Sequence, residues 1–320
     1  MKRIKEKGVW TMSDIPSQRD RLIIITGTGG LGYIIALALA HAGAEVILAG
    51  RNRSKGEAAI KKIQSSVTSA NIHFEELDLA DLVSIETFAK RICSKYQKLD
   101  VLINNAAVMT NPKRQVTKDG FELQFGTNHL GHFALTAHLM PVLRKSHNSR
   151  VVTVCALAAN SGVINFDDLQ SEQNYRPMPV YGQSKLANLI FSLELHRRSE
   201  AEKWGVRSIA AHPGLSRTDL VDSGAKQNNK APLPLRLFGK FMMQSAEEGA
   251  LPTLFAATSP EAESGQYYGP GGARETKGFP SPAKITSNAK DVNTAKRLWE
   301  TSKQLTNVDF DMIASGAEQS

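Results

Sequence analysis

The residues of this chain with the clearest potential for chemistry are Tyr181 and Lys185, which lie four positions apart. Apolar residues recur after them at helical spacing, which predicts that both stand on a helix and share one face. An ammonium group beside a phenol favours the phenolate, so Lys185 would lower the pKa of Tyr181. Tyr181 could then exchange a proton with a carbonyl or alcohol oxygen. A tyrosine and a lysine at this spacing on an arbitrary helix are more often structural, so the position of the pair in the fold determines whether a catalytic role is expected.

A regular alternation of short apolar runs and helical patterns precedes this pair and predicts an α/β fold with a doubly wound parallel sheet. Strands are predicted at Leu22–Thr26, Glu45–Ala49, Asn71–Glu75, Val101–Asn104, Val151–Cys155 and Val206–Ala210. Helices are predicted at Leu31–Ala42, Ser54–Gln64 and Leu82–Tyr96.

A glycine-rich loop follows the first predicted strand and opens the first helix. It consists of Gly27, Thr28, Gly29, Gly30, Leu31 and Gly32. Glycines at such a point let the backbone turn tightly and approach a pyrophosphate, and the helix N-terminus offers free N–H groups. The order of strand, loop, helix and second strand favours a dinucleotide site over a purely structural turn.

The end of the second strand bears on which dinucleotide is bound. An acidic residue there would bind the ribose 2′-hydroxyl, whereas arginine can pair with a 2′-phosphate. This chain has Arg51, Asn52 and Arg53, with Lys55 close by. The basic patch favours NADP(H) over NAD(H), although a solvated cationic helix start would give the same pattern.

Further motifs occur in the order found in the short-chain dehydrogenase/reductase family, which the chain resembles over about residues 20–270. They are the glycine loop, Asp78-Leu79, Asn104-Asn105-Ala106-Ala107, Asn128 with His129 and His132, Tyr181 with Lys185, and Pro213–Thr218. The runs Asn128–Phe133, Ser184–Asn188 and Gly265–Pro270 are most similar to the retinol-dehydrogenase and protochlorophyllide-reductase-like branch. The resemblance implies a Rossmann-type single domain with oxidoreductase activity.

The resemblance also implies catalytic roles. Tyr181 would be the general acid or base, Lys185 would also bind the nicotinamide ribose hydroxyls, and Asn128 would position a water in a proton relay. His129 and His132 flank that asparagine, and we expect both to be packing or hydrogen-bonding residues.

For the cofactor, the resemblance implies that Asp78 contacts the adenine, Asn105 supports the cofactor near the sheet edge and Thr218 holds the nicotinamide carboxamide. The predicted cofactor-binding residues are Gly27, Thr28, Gly30, Leu31, Gly32, Arg51, Asn52, Asp78, Leu79, Asn105, Ala106, Ala107, Tyr181, Lys185, Pro213, Gly214 and Thr218.

The glycine loop departs from the family pattern. The family spaces it as Gly-x-x-x-Gly-x-Gly, whereas Gly27, Gly30 and Gly32 leave one residue fewer between the first two. The loop also fits Gly-x-Gly-x-x-Gly, the fingerprint of other dehydrogenases, so we expect dinucleotide binding to survive. The altered spacing changes the path around the adenosine ribose, the part of the cofactor in which NADP and NAD differ. Ala107, where the family has glycine, is expected to be a mild change.

The catalytic serine is the second departure. The fifth strand of the family ends in two serines, the second of which donates a hydrogen bond to the substrate oxygen, and this chain has Cys155 and Ala156 there. A methyl group cannot donate, and Cys155 is expected to point to the opposite face. Ser161 in the following loop is a hydroxyl that could fold back. Losing one such donor typically costs about 10²–10³ in turnover.

Two functions of different class follow. The first is an NADP(H)-dependent oxidoreductase that acts on a carbonyl or alcohol with a reduced or rearranged site. The second is a catalytically impaired dinucleotide-binding protein that serves as sensor or scaffold. The presence of Asn128, Tyr181 and Lys185 together favours the enzyme, because a binding-only protein has no chemical need for all three.

Composition limits the remaining possibilities. The 320 residues carry a net charge of +8, and hydrophobic residues make up 41% of them, as in a globular protein that spans no membrane. The excess of basic over acidic residues is compatible with phosphate-bearing ligands, but the sequence contains no nucleic-acid-binding motif. Cys93 and Cys155 give neither a disulfide framework nor metal-ligand spacing, and without a secretory signal we expect a cytoplasmic protein and no metal.

The predicted organisation has three parts: an N-terminal extension over residues 1–19, the family domain over 20–275, and a C-terminal extension over 276–320. We interpret about residues 220–264 as a substrate lid, because an apolar and basic stretch, Leu233–Met243, lies within it. The lid suggests a lipophilic substrate. A peripheral membrane contact by the same stretch is the less favoured alternative, and a homo-oligomer is typical of the family.

Overall fold

An eight-stranded sheet forms the centre of the computed structural model, which describes residues 9–109, 111–216 and 243–310. The strand order is β3-β2-β1-β4-β5-β6-β7-β8, and only the β7–β8 pairing is antiparallel. The strands are β1 (Leu22–Thr26), β2 (Glu45–Gly50), β3 (Asn71–Glu76), β4 (Val101–Asn104), β5 (Arg150–Val154), β6 (Arg207–Ala211), β7 (Tyr267–Pro270) and β8 (Pro280–Pro282).

Helices cover both faces of the sheet. They are α1 (Gly30–His41), α2 (Arg53–Ser66), α3 (Leu82–Lys95), α4 (Leu123–Phe125), α5 (Gly131–Arg144), α6 (Pro177–Ala201), α7 (Ala246–Thr258), α8 (Ser287–Lys290) and α9 (Val292–Thr306). A π-helical turn, Gly126–Leu130, joins α4 to α5. Ile35 of α1, Ile63 of α2 and Leu254 of α7 pack in one apolar layer, and Phe88 of α3, Phe133 of α5 and Phe191 of α6 pack in the other.

Burial on both sides explains why the strands are continuous apolar runs. All five residues of β1 are buried, as are all four of β4 and all five of β5. Parallel strands need this pattern because helices shield each face. The predicted doubly wound α/β fold is confirmed, and each of the six predicted strands ends within one residue of its position in the structure.

The region after residue 243 corrects the predicted lid. Helix α7, which lies within that lid, is buried against the sheet, where its Ala250, Leu254 and Ala257 are fully inaccessible. It begins with a capping box between Ser245 and Glu248, so its sequence specifies an ordinary core helix. Residues 220–242 of the lid lie outside the described part of the chain.

The C-terminal segment up to Phe310 is likewise part of the core and not an extension. Trp299 of α9 lies 4.6 Å from Phe310 and 5.1 Å from Phe133, measured between ring centroids. Strand β8 also lies beyond residue 275 and completes the sheet. Near the N-terminus, the Trp10 ring packs edge-on against Phe255 of α7, so this part of the predicted N-terminal extension contacts the core too. No helix in the described ranges is long and apolar enough to cross a bilayer.

Candidate active site

The glycine loop forms a close-packed turn between β1 and α1. Gly27 has a φ of +91° and Gly30 one of +51°, a region that glycine adopts without strain. A Cβ on Gly32 would lie 2.1 Å from the carbonyl oxygen of Gly27, so no other residue fits there. The shortened loop therefore still brings the backbone to the N-terminus of α1, where free N–H groups can bind phosphate. Leu31 packs beneath the loop against the core.

A groove of about 280 Å³ extends from this loop across the carboxyl ends of β1, β2 and β4. Eight of the predicted cofactor-binding residues line it: Gly27, Thr28, Arg51, Asn52, Asp78, Leu79, Ala106 and Ala107. Asp78 accepts a hydrogen bond from Ala80 N at 3.0 Å. A glycine cradle that opens into an elongated groove at the point where the strand order reverses fits a dinucleotide.

The basic residues after β2 separate into two groups. Arg51 and Lys55 line the groove, and Arg51 makes no ion pair with any described residue. Arg53 instead pairs with Glu57 at 3.8 Å and Glu76 at 3.4 Å. Asn52 caps α2 by accepting the Lys55 N–H at 2.9 Å. Arg51 and Lys55 thus supply the positive charge that remains available to a ligand.

Thr26 connects the glycine loop to the neighbouring strand end. Its hydroxyl oxygen accepts the N–H groups of Asn105 and Ala106, both at 2.9 Å. The Asn105 side chain donates to the Thr26 carbonyl at 2.8 Å. Asn105 therefore fixes the backbone at the β1–β4 junction, which supports a cofactor without lining the groove.

His132 extends this network to the catalytic residues. Its Nδ1 donates to the carbonyl of Asn128 at 2.9 Å, and its Nε2 lies 2.9 Å from the Thr26 hydroxyl. Burial lowers the pKa of His132 to about 4, so the ring is neutral and Nε2 accepts from Thr26. The expectation of a hydrogen-bonding histidine is met. His129 is also buried and lies 2.9 Å from the Ser302 hydroxyl.

The three predicted catalytic residues come together at the carboxyl edge of the sheet. Asn128 lies in the π-helical turn, accepts the Val108 N–H at 2.8 Å and donates to the Ser184 hydroxyl at 3.0 Å. Ser184 in turn donates to the carbonyl of Tyr181 at 2.8 Å. Sequence reasoning missed this serine, although it stands between the two residues of the pair.

Lys185 is buried and donates to the carbonyl of Val154, at the end of β5, at 2.9 Å. Its Nζ lies 5.9 Å from the centroid of the Tyr181 ring. Burial lowers the pKa of Lys185 to about 8. Helix α6 thus places the phenol and the ammonium on the same face, beside the end of the fifth strand.

The expected lowering of the Tyr181 pKa is wrong for this structure. Burial raises the pKa of Tyr181 well above its usual value, and the neighbouring Cys155 raises it further. Desolvation of the phenolate outweighs the field of Lys185, because Lys185 is itself buried and directed at Val154. Tyr181 therefore keeps its proton at neutral pH.

The end of β5 carries the missing serine position. Ala156 is half-buried in extended backbone and precedes a 3-10 turn, Leu157–Ser161. Ser161 is exposed and donates to the Ala158 carbonyl at 3.4 Å, so it does not fold back. Cys155 is buried near Tyr181 and Lys185, and its thiol donates to the Thr153 carbonyl at 3.7 Å. Burial raises its pKa to about 12, which leaves a thiol that donates weakly.

The loop after β6 carries Pro213 and Gly214. Gly214 has a φ of +62° and donates its N–H to Nδ1 of His212 at 3.2 Å. The Pro213 carbonyl accepts from Ser216 and Gln244. Thr218 lies outside the described residues.

The chain is similar to known proteins over most of its length. A family model described as short chain dehydrogenase matches residues 21–229. Retinol dehydrogenase 12 of Mus musculus is 37% identical over 297 residues, which cover 91% of this chain and 88% of that protein. Polyprenol dehydrogenase of Homo sapiens is 38% identical over 300 residues, covering 92% and 87%.

A solved structure from Mycobacterium paratuberculosis, titled as a putative uncharacterized protein, is 40% identical with a TM-score of 0.78. The match covers 95% of this chain and 99% of that one. The similarity extends beyond the residues that the family model matches, to the strands and helices at the C-terminal end.

Proposed function

Since this chain belongs to the short chain dehydrogenase family and is an oxidoreductase, we propose that it transfers a hydride between NADP(H) and a carbonyl or alcohol group of a lipophilic substrate, with Tyr181 as the general acid or base. The observation that carries the proposal is the convergence of Asn128, Tyr181 and Lys185 beside the dinucleotide groove, to which Asn128 is linked by its hydrogen bond with Val108 of the groove wall. Proton transfer uses all three residues, whereas cofactor binding alone does not need them together.

The choice of NADP(H) depends on Arg51 and Lys55. Both line the groove at the end of β2, and among the described residues the acidic one in its lining, Asp78, follows β3 and not β2. A guanidinium can form charge-assisted hydrogen bonds with a 2′-phosphate. When bound, the nicotinamide supplies or accepts the hydride.

The protonated form of Tyr181 is the form that carbonyl reduction requires. In that direction the phenol donates its proton to the substrate oxygen as negative charge develops there. Lys185, with a pKa of about 8, is largely an ammonium at neutral pH and stabilises the phenolate that remains.

The lipophilic substrate is supported by the relatives. Those named above are dehydrogenases of retinol and polyprenol, both of which are lipophilic alcohols. These names also speak against the binding-only alternative, for which no comparison gives support. A cytoplasmic location and a homo-oligomer remain predictions.

Ala156 sets the expected efficiency. Without a serine hydroxyl, Tyr181 is the side-chain donor to the substrate oxygen, so turnover is slowed and not abolished. Restoring the serine should add a second donor at the end of β5.

The test is NADPH oxidation with a panel of aliphatic, aromatic and retinoid aldehydes, comparing the native protein with the Ala156→Ser and Tyr181→Phe variants. We expect turnover in the native protein, an increase of about 10²-fold with Ala156→Ser and loss with Tyr181→Phe. Silence in the native and Ala156→Ser proteins, despite NADPH binding, would overturn the proposal.

A further inference from the structure

A short segment between β7 and β8, residues 271–279, closes over the loop that follows β6. We call it the strap. We propose that Glu275 of the strap is a positioning residue for the dinucleotide: through His212 it fixes the loop 212–216, which carries Pro213 and Gly214. This inference rests on the proposed function, because it assigns the loop to cofactor binding.

The central contact is an ion-dipole pair between the buried His212 and the half-buried Glu275. His212 is completely buried, and its Nε2 lies 3.1 Å from Oε2 of Glu275. The other carboxylate oxygen, Oε1, accepts the Lys284 N–H at 2.8 Å. Glu275 therefore joins the loop after β6 to the backbone just beyond β8.

The hydrogen bonds define the state of the imidazole. Gly214 donates its N–H to Nδ1, so Nδ1 carries no proton. Burial lowers the pKa of His212 to about 4, so the ring is neutral and its single proton lies on Nε2, facing the carboxylate. Glu275 thus selects the tautomer that can accept the Gly214 N–H. Without the carboxylate, the tautomer with the proton on Nδ1 becomes accessible and conflicts with that N–H.

Main-chain and amide contacts connect the rest of the strap to the same loop. Leu215 donates its N–H to the Thr276 carbonyl at 2.8 Å. Gln244 receives the Gly278 N–H at 3.1 Å and donates to the Pro213 carbonyl at 2.7 Å. The loop 212–216 is therefore held both by the strap and by Gln244, and Glu275 supplies a charged contact among these hydrogen bonds.

The neighbouring residues leave just enough room for the His212 imidazole. A Cβ on Gly269 of β7 would lie 1.9 Å from Nε2 of His212, and one on Gly214 would lie 2.4 Å from the Thr276 carbonyl oxygen. The Tyr267 ring closes the other side, with its centroid 5.0 Å from that of His212. The ring cannot rotate away without displacing these neighbours.

The first experiment measures NADPH affinity by fluorescence titration for the native protein, Glu275→Ala, Glu275→Gln and a matched control, Glu261→Ala, whose side chain is exposed and does not line the cofactor groove. We expect Kd to rise about tenfold in Glu275→Ala. It should rise less in Glu275→Gln, which keeps one acceptor oxygen, and not in Glu261→Ala. The value of kcat at saturating NADPH should stay within about twofold, because Tyr181 and Lys185 are not touched.

Equal affinity in Glu275→Ala and the native protein would overturn the inference while leaving the proposed function intact. Absence of NADPH and NADH binding by the native protein would overturn both. A merely structural role would lower the melting temperature and kcat together without a selective change in Kd.

Nitrogen-15 NMR of the imidazole provides the second readout. In the native protein we expect the His212 signals of a ring protonated on Nε2 alone, and in Glu275→Ala those of mixed tautomers. An unchanged tautomer in a folded Glu275→Ala protein would contradict the proposed action of the carboxylate. If that variant does not fold, Glu275→Gln is compared in the same way.

Discussion

The two loops that border the cofactor cleft are held in different ways. The loop after β1 is fixed mainly by backbone packing: Gly32 lies directly against the Gly27 carbonyl, and Thr26 receives the N–H groups of the next strand end. The loop after β6 is fixed by side chains, His212, Glu275 and Gln244, two of which come from distant parts of the chain. The first loop is thus specified locally, and the second depends on the whole C-terminal region being folded.

The two buried histidines illustrate this difference. His132 donates from Nδ1 to a carbonyl one helical turn away, whereas His212 accepts at Nδ1 and faces a carboxylate 63 residues away in sequence. Both rings are neutral, but they hold opposite tautomers. A substitution that disturbs one loop and spares the other would therefore show how much each loop contributes to cofactor affinity.

Tyr181→Phe is expected to have the largest effect, and it tests the chemistry apart from both loops. Removing the phenolic hydroxyl should lower kcat by about 10²–10⁴ because the proton donor is lost. The Kd for NADPH should not change, since the ring remains in place. Steady-state kinetics and a fluorescence titration measure the two quantities. A parallel loss of affinity would show that the hydroxyl also holds a loop.

Acid should weaken the fold through three buried histidines, of which His132 contacts Thr26 before the first loop and His212 belongs to the second. The pKa values of His132 and His212 are lowered to about 4 and that of His129 to about 3, from 6.5. The unfolded chain therefore binds more protons below pH 6.5, and the free energy of unfolding should fall by about 1.4 kcal/mol per pH unit for each histidine down to its folded pKa. Urea unfolding at pH 7 and pH 5 measures the change. Equal midpoints would contradict it.

Gly32→Ala breaks the backbone-held loop. The added methyl group would meet the Gly27 carbonyl, and overpacking of this kind typically costs about 1–3 kcal/mol. We expect weaker NADPH binding along with lower stability. Gly205→Ala is the control for steric contact, because no atom lies within 4 Å of its added Cβ and only its φ of +72° disfavours alanine there. That variant should lose stability without losing affinity for NADPH.

Arg51→Ala and Arg53→Ala form a matched pair with the smallest expected effect. Arg51 is free to meet a 2′-phosphate, and one charge-assisted contact at an exposed site is worth about 1.4 kcal/mol, or about tenfold in affinity. Arg53 is engaged by Glu57 and Glu76, so its removal should leave the preference for NADPH over NADH unchanged. Separate titrations with the two cofactors decide. If both variants lost the same amount of affinity for NADPH, the preference for NADPH would come from the overall positive charge of this region and not from a contact of Arg51.

The sequence predicted the first loop well because its requirements are local. A glycine that no other residue can replace, a strand before it and a helix after it are all visible within a few positions. The strand positions were predictable for a related reason, since strands shielded on both faces leave continuous apolar runs. The family and its oxidoreductase activity were also identified correctly from motif order.

The features that could not be predicted depend on contacts between residues far apart in the sequence. Glu275 carries no motif, and its role comes from lying opposite His212 in the folded chain. The pKa of Tyr181 was predicted in the wrong direction because spacing gives the position of Lys185 but not the depth of burial. Helix α7 was assigned to a lid because the apolar and basic stretch Leu233–Met243 precedes it. Its own apolar residues cover nearly all sides, so no amphipathic pattern marked its buried face.

Strand β8 closes the sheet at one side and carries Pro280 and Pro282. The neighbouring Phe279 and Ala283 bond inward to β7, so the alternation of a strand turns the two proline nitrogens outward. Neither nitrogen has a hydrogen to offer an incoming strand. The sheet therefore cannot be lengthened readily by another chain at this border, which protects the protein from edge-to-edge aggregation.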